Sequence, residues 1–378
     1  MKKKILLFLM IITLVLTLIA CNKSEPVNKE KEINKVTEEN KDDSKENKKK
    51  ERKEETALES KENEEKKDEE EKRKDTTKKE GIQSPLSGLY DTKEKIDRRI
   101  VAIMFDNQKY ARWQSGLSKA EVVYEMLVEG NITRYMGLFL KNDPELIGPV
   151  RSARPYFITA LLQYDPLYVR CGGSPQAKKD VNNLKIADVD GLAAPGYLFQ
   201  RYNETGKKKP HNLYTGMSKI RKYQSARNYR EESSFDGFKF NSQDNDIKGV
   251  NAETVLIKYS SRNTTKYVYD TEKKKYKRYK DRKEHIDEYD KEQLYAKNII
   301  IQKAKTKVID SIGRLDIELI GKGKAIYITN GKATEITWKK ENRDSRTIYY
   351  NKDGSQLKLN PGITWIQVTK FKPNISIK

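Results

Sequence analysis

Ile100-Val101-Ala102-Ile103-Met104-Phe105-Asp106-Asn107 is the stretch on which the fold turns. Six consecutive apolar residues, rich in β-branching and stopped by Asp and Asn, predict a short buried strand. Downstream, Ser118 stands three residues before Glu121, a capping-box spacing. Val122, Val123, Met126 and Leu127 follow at helical intervals and Gly130 closes the run, so a helix is expected there. Arg134-Tyr135-Met136-Gly137-Leu138-Phe139-Leu140 reads as a second strand. Ser152 as N-cap, Pro155 in the first turn, and Ile158, Leu161 and Leu162 as a buried face predict a helix. Residues 168–171 read as a strand, and Gly172-Gly173-Ser174-Pro175 leads into a helix over residues 176–184.

From about residue 250 the pattern becomes strand after strand. The runs start with Val255-Leu256-Ile257-Lys258-Tyr259 and Lys266-Tyr267-Val268-Tyr269. Asn298-Ile299-Ile300-Ile301-Gln302 and the alternating Arg314-Leu315-Asp316-Ile317-Glu318-Leu319 continue them. Two more runs flank Asn330-Gly331, a hairpin dipeptide. The expected class is therefore α+β, with an α/β domain over residues 81–245 and a β-rich domain over residues 250–378.

The rest of the 378-residue chain has a different composition. Lys2, Lys3 and Lys4 precede an apolar run that ends in Leu18-Ile19-Ala20-Cys21, the layout of a secretory signal. Small Ala20 before Cys21 resembles the bacterial lipobox, which implies that residues 1–21 are a lipoprotein signal and that Cys21 is acylated. Two acyl chains would hold the protein stably on a membrane. Residues 22–80 carry 19 Lys/Arg against 21 Asp/Glu, with no aromatic residue and no glycine. They cannot bury a core and read as a charged, disordered tether, with a Lys/Glu helix as the alternative. A flexible chain of that length reaches about 40–45 Å. The net charge of +21 lies almost wholly beyond residue 80. Only Cys171 accompanies Cys21, so no internal disulfide is expected.

Candidate binding groups gather around the turns. Arg151 and Arg154 bracket a helix start, and two guanidinium forks beside free backbone N–H groups suit an anion. The alternative is that they pair with Glu125, Glu129 or Asp165. Gly172, Gly173 and Ser174 form a second site of this shape, or merely a tight strand-to-helix turn. Arg134 joins the anion-binding candidates, and Asp106, Asn107, Glu125, Glu129, His211 and Asn212 form a candidate polar set. Glu125 and Glu129 are expected one helical turn apart. Cys171 is expected to be a small buried hydrophobe. Residues 273–291 interleave Lys, Arg and Tyr and read as solvated hairpin faces or a contact for anionic lipid.

These segments together resemble the YerB-like lipoprotein family, which carries domains of unknown function. The likeness rests on Ala102-Ile103-Met104-Phe105-Asp106-Asn107, Gln114-Ser115-Gly116-Leu117-Ser118-Lys119-Ala120 and Ile132-Thr133-Arg134. Ile147-Gly148-Pro149-Val150-Arg151-Ser152-Ala153-Arg154-Pro155-Tyr156-Phe157, Gly172-Gly173-Ser174-Pro175-Gln176-Ala177 and Pro210-His211-Asn212-Leu213-Tyr214 extend it. It spans nearly all of residues 85–370. The resemblance implies an exported, membrane-anchored protein with two adjacent domains and brings no activity with it. The family pattern has His-Ala before the paired glycines, where this chain has Arg170-Cys171.

Phosphate-loop, HExxH, GxSxG and CxxC signatures are missing, and two histidines exclude a histidine-rich metal site. No metal and no cofactor is indicated. The leading expectation is an extracytoplasmic, lipid-anchored binding or scaffolding protein of the cell envelope, recognising an anion. The alternative is an envelope enzyme of phosphotransferase type, with Asp106 or Glu125 holding a metal or acting as base. Expected partners are the membrane through Cys21, anionic lipid, wall polymer or an envelope protein. Export argues against nucleic acid.

Overall fold

The computed structural model describes residues 80–378. The signal segment, Cys21 and nearly all of the charged tether lie outside the described residues. Lys78–Lys378 forms one unit.

The apolar run does become a strand, Val101–Phe105 (β1), with all five residues buried. The expected helix after Ser118 does not form. Val122–Leu127 is a strand (β2), joined antiparallel to Thr133–Phe139 (β3), which in turn pairs with β1. The reason is visible in the packing. Val122, Tyr124 and Met126 enter one apolar cluster, whereas Val123 and Leu127 enter another. A strand buried on both faces shows no apolar–polar alternation, and so it imitates one side of a helix.

On the other edge of β1, Leu167–Arg170 (β4) and Asp188–Asp190 (β5) add in parallel. Pro155–Leu161 (α1) and Pro175–Asn183 (α2) precede and follow β4. Ser174 caps α2, its Oγ accepting from Ala177 N at 3.3 Å. The first helix departs from the sequence reading: its N-cap is Arg154, not Ser152, and no side chain caps it. Met217–Ala226 (α3) is the last helix.

The β-rich half supplies a six-stranded sheet containing Thr254–Ser260 (β6), Asn263–Asp270 (β7) and Lys275–Lys280 (β8). It also continues the first sheet. Asn298–Ala304 (β9), Gly321–Thr329 (β12), Lys332–Lys340 (β13) and Thr364–Lys370 (β14) extend it to eleven strands. β14 lies parallel to both β9 and β2, so the sheet runs unbroken through both segments. Between β9 and β12, Thr306–Val308 (β10) and Leu315–Ile317 (β11) form a separate hairpin. Asn330 and Gly331 join β12 to β13 with φ of 48° and 71°, the pair of positive values that a type I′ turn needs. The class is α+β, with strands dominant.

The large sheet thus has two covered faces. Phe157 and Leu161 of α1, with Ala177 and Val181 of α2, pack on Met104, Met136, Leu138 and Tyr168. Opposite them, Val255, Ile257, Tyr267 and Tyr276 of the second sheet pack on Ile103, Val123, Tyr135 and Trp365. Among the described residues, no helix is long and apolar enough to cross a membrane.

Candidate functional site

β1, β4 and β5 run in parallel, and their carboxyl ends deliver Asp106, Cys171-Gly172 and Asp190 to one edge of the sheet. The segment after Pro149 crosses these ends like a short strand. Asp106 N donates to Pro149 O at 2.8 Å, Arg151 N to Met104 O at 2.9 Å and Cys171 N to Arg151 O at 3.0 Å. On its other side Val150 N donates to Leu213 O at 2.7 Å, which draws the 210–214 segment against it. Crevices at such strand ends are where open parallel sheets commonly hold ligands.

Four side chains converge there. Asp106 is almost fully buried. Its Oδ2 lies 2.8 Å from His211 Nδ1 and 3.1 Å from Arg151 Nε. Burial pushes the Asp106 carboxyl up, but the His211 hydrogen bond, with the charges of Arg151 and Arg134, outweighs it and holds the group below its usual range. Arg134 projects from β3, 5% exposed, and donates from Nη1 to Ser152 O at 2.6 Å. Its Nε is buried without a partner, and the group makes no ion pair among the described residues. Burial and then Arg154 bring its pKa down to about 10. The Tyr168 hydroxyl, also buried without a partner, lies within electrostatic range of Arg134 and Arg154.

The other candidates divide. Arg154 clasps Glu129 with two hydrogen bonds of 2.7 Å and is neutralised by it, the pairing that the sequence left open. Ser152 contributes its carbonyl. The Gly172 N–H is already given to Asp190 Oδ1 at 2.7 Å, and α1 is only seven residues long. The glycine turn and the helix start therefore offer an anion little. Gly172 adopts φ +66°, and a Cβ there would meet Leu192 Cδ1 at 2.8 Å, so it serves the turn. Arg170 forks onto Asp188 and Asp190. Asn107 donates to Thr133 Oγ1 at 2.8 Å, and Asn212 to Asn203 Oδ1 at 2.8 Å. Both are fixed in place. Cys171 is partly exposed, not buried, and burial with the charge of Asp190 raises its thiol pKa.

Glu125 is elsewhere. It leaves β2 on the face opposite Arg134 and is fully buried against the second sheet. It does not share a helical face with Glu129, because neither residue is in an α-helix. Arg278 and Lys280 of β8 both ion-pair with it, Lys280 Nζ at 2.9 Å. Thr133 Oγ1 donates to Oε1 at 2.6 Å. Burial would raise the Glu125 pKa, yet Lys280 and Arg278 hold it at about 2. Arg278 stacks on Trp365, 4.1 Å from the ring centroid, and donates to His285 Nδ1. His285 Nε2 then meets Gln114 Oε1 at 2.7 Å. A carboxylate so enclosed can neither hold a metal nor act as a base toward a ligand, which corrects that expectation for Glu125.

The stretch 273–291 is corrected in part. Arg278, Lys280 and His285 are fully buried, not solvated, while its other lysines and arginines are exposed or partly exposed. The period-two placing of Tyr276, Arg278 and Lys280 was the available signal, since it sets all three on one face of a strand. No group of three or more His, Cys, Asp and Glu able to hold a metal ion occurs among the described residues.

The fold and this site define a strand-rich α+β protein with an arginine cluster at a parallel strand edge. Residues 86–230 and 255–366 match the two domains described as Protein of unknown function (DUF3048), N-terminal and C-terminal, and the chain belongs to that family. It is similar to Putative lipoprotein YerB of Bacillus subtilis (strain 168). The identity is 37% over 297 residues, which span 78% of this chain and 87% of that protein. The crystal structure of YerB protein from Bacillus subtilis superposes with a TM-score of 0.71 at 34% identity, covering 78% of this chain and 100% of that one.

Proposed function

We propose that the chain is an extracytoplasmic lipoprotein of the cell envelope, whose folded body binds an anionic group at the Arg134–Arg151–His211 cluster. The lipoprotein part draws on the signal layout ending at Cys21 and on the name its relative carries. Acylated Cys21 would hold the chain on the membrane, with residues 22–80 as spacer. The binding part rests on one observation: Arg134 is a buried guanidinium with no carboxylate at ion-pair distance among the described residues, Asp106 acting on it only through its field, beside two arginines that have one each. A buried charge left unpaired costs several kcal/mol, on the order of 3–5. A phosphate or carboxylate entering between Arg134 and Arg151 would offset that cost and accept from the idle Nε.

The ligand class is a phosphate-bearing lipid or wall polymer, or an envelope protein presenting acidic groups. The test is binding of labelled lipid-linked wall precursors to residues 78–378, with and without Mg²⁺. Saturable binding, weakened at least tenfold by Arg151→Ala, is the expected result. No saturable binding of any phosphate-bearing precursor would contradict it.

A second reading, an envelope enzyme acting on phosphate-containing lipid or polymer, draws on the Asp106–His211 hydrogen bond. With Nδ1 held by Asp106, Nε2 is the nitrogen left to move a proton. Precursor turnover abolished by His211→Gln would favour it, and binding without turnover would favour the scaffold.

A further inference from the structure

The β10–β11 hairpin carries an apolar tip that nothing in the body covers. Val308, Ile309 and Ile312 are 64%, 55% and 65% exposed. Ile320, just beyond the hairpin, is also exposed and lines a cleft of about 610 Å³ with Lys305, Lys307 and Ile317. Soluble surfaces rarely cluster branched apolar side chains in this way unless they meet something.

The tip is built, not loose. Asp310 Oδ1 accepts from Ile312 N at 3.1 Å and from Arg314 N at 3.0 Å, while Arg314 Nη1 donates to Asp310 Oδ2 at 2.9 Å. Ile309 N donates to Arg314 O at 2.9 Å and Gly313 N to Asp310 O at 3.1 Å. Four of the six backbone N–H groups over residues 309–314 thus have partners within the tip, which lowers the cost of entering an apolar medium.

The charge pattern below the apex selects the medium. Lys305 pairs with Glu318 at 3.6 Å and Lys307 with Asp316 at 3.4 Å, all four exposed. Lys322 and Lys324, exposed at the start of β12, make no ion pair among the described residues, so the base of the tip is net positive. Lys305 is three residues from Val308, about 10 Å along a strand. That is near the depth to which surface-bound apolar groups enter a bilayer. Lysines at that height reach lipid phosphates while Val308, Ile309 and Ile312 meet acyl chains.

We infer that the β10–β11 tip is a membrane-contact element, seating the body on a bilayer rich in anionic phospholipid. It acts alongside any acyl anchor and involves neither Cys21 nor the arginine cluster. The unit Lys78–Lys378 contains the whole described core, so it can be tested without the anchor. Co-sedimentation with equimolar phosphatidylglycerol–phosphatidylcholine vesicles is expected to show binding, weaker on phosphatidylcholine alone. Ile309→Asp combined with Ile312→Asp should lower partitioning by about tenfold or more. Both positions are exposed, so the melting temperature should stay within error. An Ile312→Trp variant should shift its emission to the blue on adding vesicles. Undiminished partitioning of the double variant, unshifted emission from the Ile312→Trp variant, or a dimer assembled through the tip would overturn the inference.

Discussion

At Glu125 one carboxylate ties the two sheets together, because Arg278 and Lys280 reach it from the opposite layer. Removing it leaves two fully buried cations without their carboxylate. Glu125→Leu is therefore expected to cost about 3–5 kcal/mol in urea denaturation, and a loss under 1 kcal/mol would show that the layer tolerates unpaired cations. Gly172 makes a smaller commitment. With φ at +66° and Leu192 so close, Gly172→Ala should cost about 1–2 kcal/mol. Only part of this was legible in the residues themselves. Arg151, Asp106 and His211 stand out as polar groups at turns, and Arg134 as a charge in an otherwise apolar strand. Nothing in their spacing joins Asp106 to a histidine more than a hundred positions away, since that contact is made by main-chain bonds through Val150 and Leu213. Conversely, the sequence leaves Arg154 open between an anion and three acids, and the fold gives it to Glu129.

Whole elements carry the next set of consequences. β2 shows why a strand buried on both sides is hard to recognise: Tyr124 and Met126 face the helices, Val123 and Leu127 the second sheet, and no polar residue marks a solvent side. The β12–β13 hairpin was legible because Asn330-Gly331 states its turn chemistry locally. Gly331→Ala should lower stability by about 1 kcal/mol, since φ is 71° and Tyr269 lies 3.1 Å from the added carbon. The layer between the sheets also sets a pH response. Burial, then the charges of Arg278 and Lys280, keep His285 neutral, its pKa well below 6.5. As pH falls through 6.5, the unfolded chain takes up a proton that the folded chain refuses. Stability should then decline by up to about 1.4 kcal/mol per pH unit. Glu125 acts in the same sense between 4.5 and about 2, where the unfolded carboxyl is protonated and the folded one is not. Urea midpoints measured from pH 8 to pH 4 should fall steadily below 6.5. For His285→Gln the decline should be shallower, and an equal slope would assign it to other groups.

On the scale of the whole molecule, the two segments distinguished by composition share one eleven-stranded sheet, because β14 returns from near the chain end to lie between β9 and β2. Parallel pairing across more than two hundred residues leaves no local trace in a sequence. The expected anchor and spacer come from the sequence alone and lie almost wholly outside the described residues. Cys21→Ser should release the protein from membranes, and continued tight retention would contradict acylation. Deleting residues 25–78 should leave the melting temperature within error, because that stretch has too few apolar side chains to add to a core. The central claim is that Arg134 is kept buried and unpaired for the sake of an anion, and a melting series with pyrophosphate tests it most directly. The unaltered unit should gain melting temperature as pyrophosphate is added, while Arg134→Met should melt higher without ligand and gain nothing from it. A ligand-induced gain that survives in Arg134→Met, or no gain in the unaltered unit, would contradict the claim.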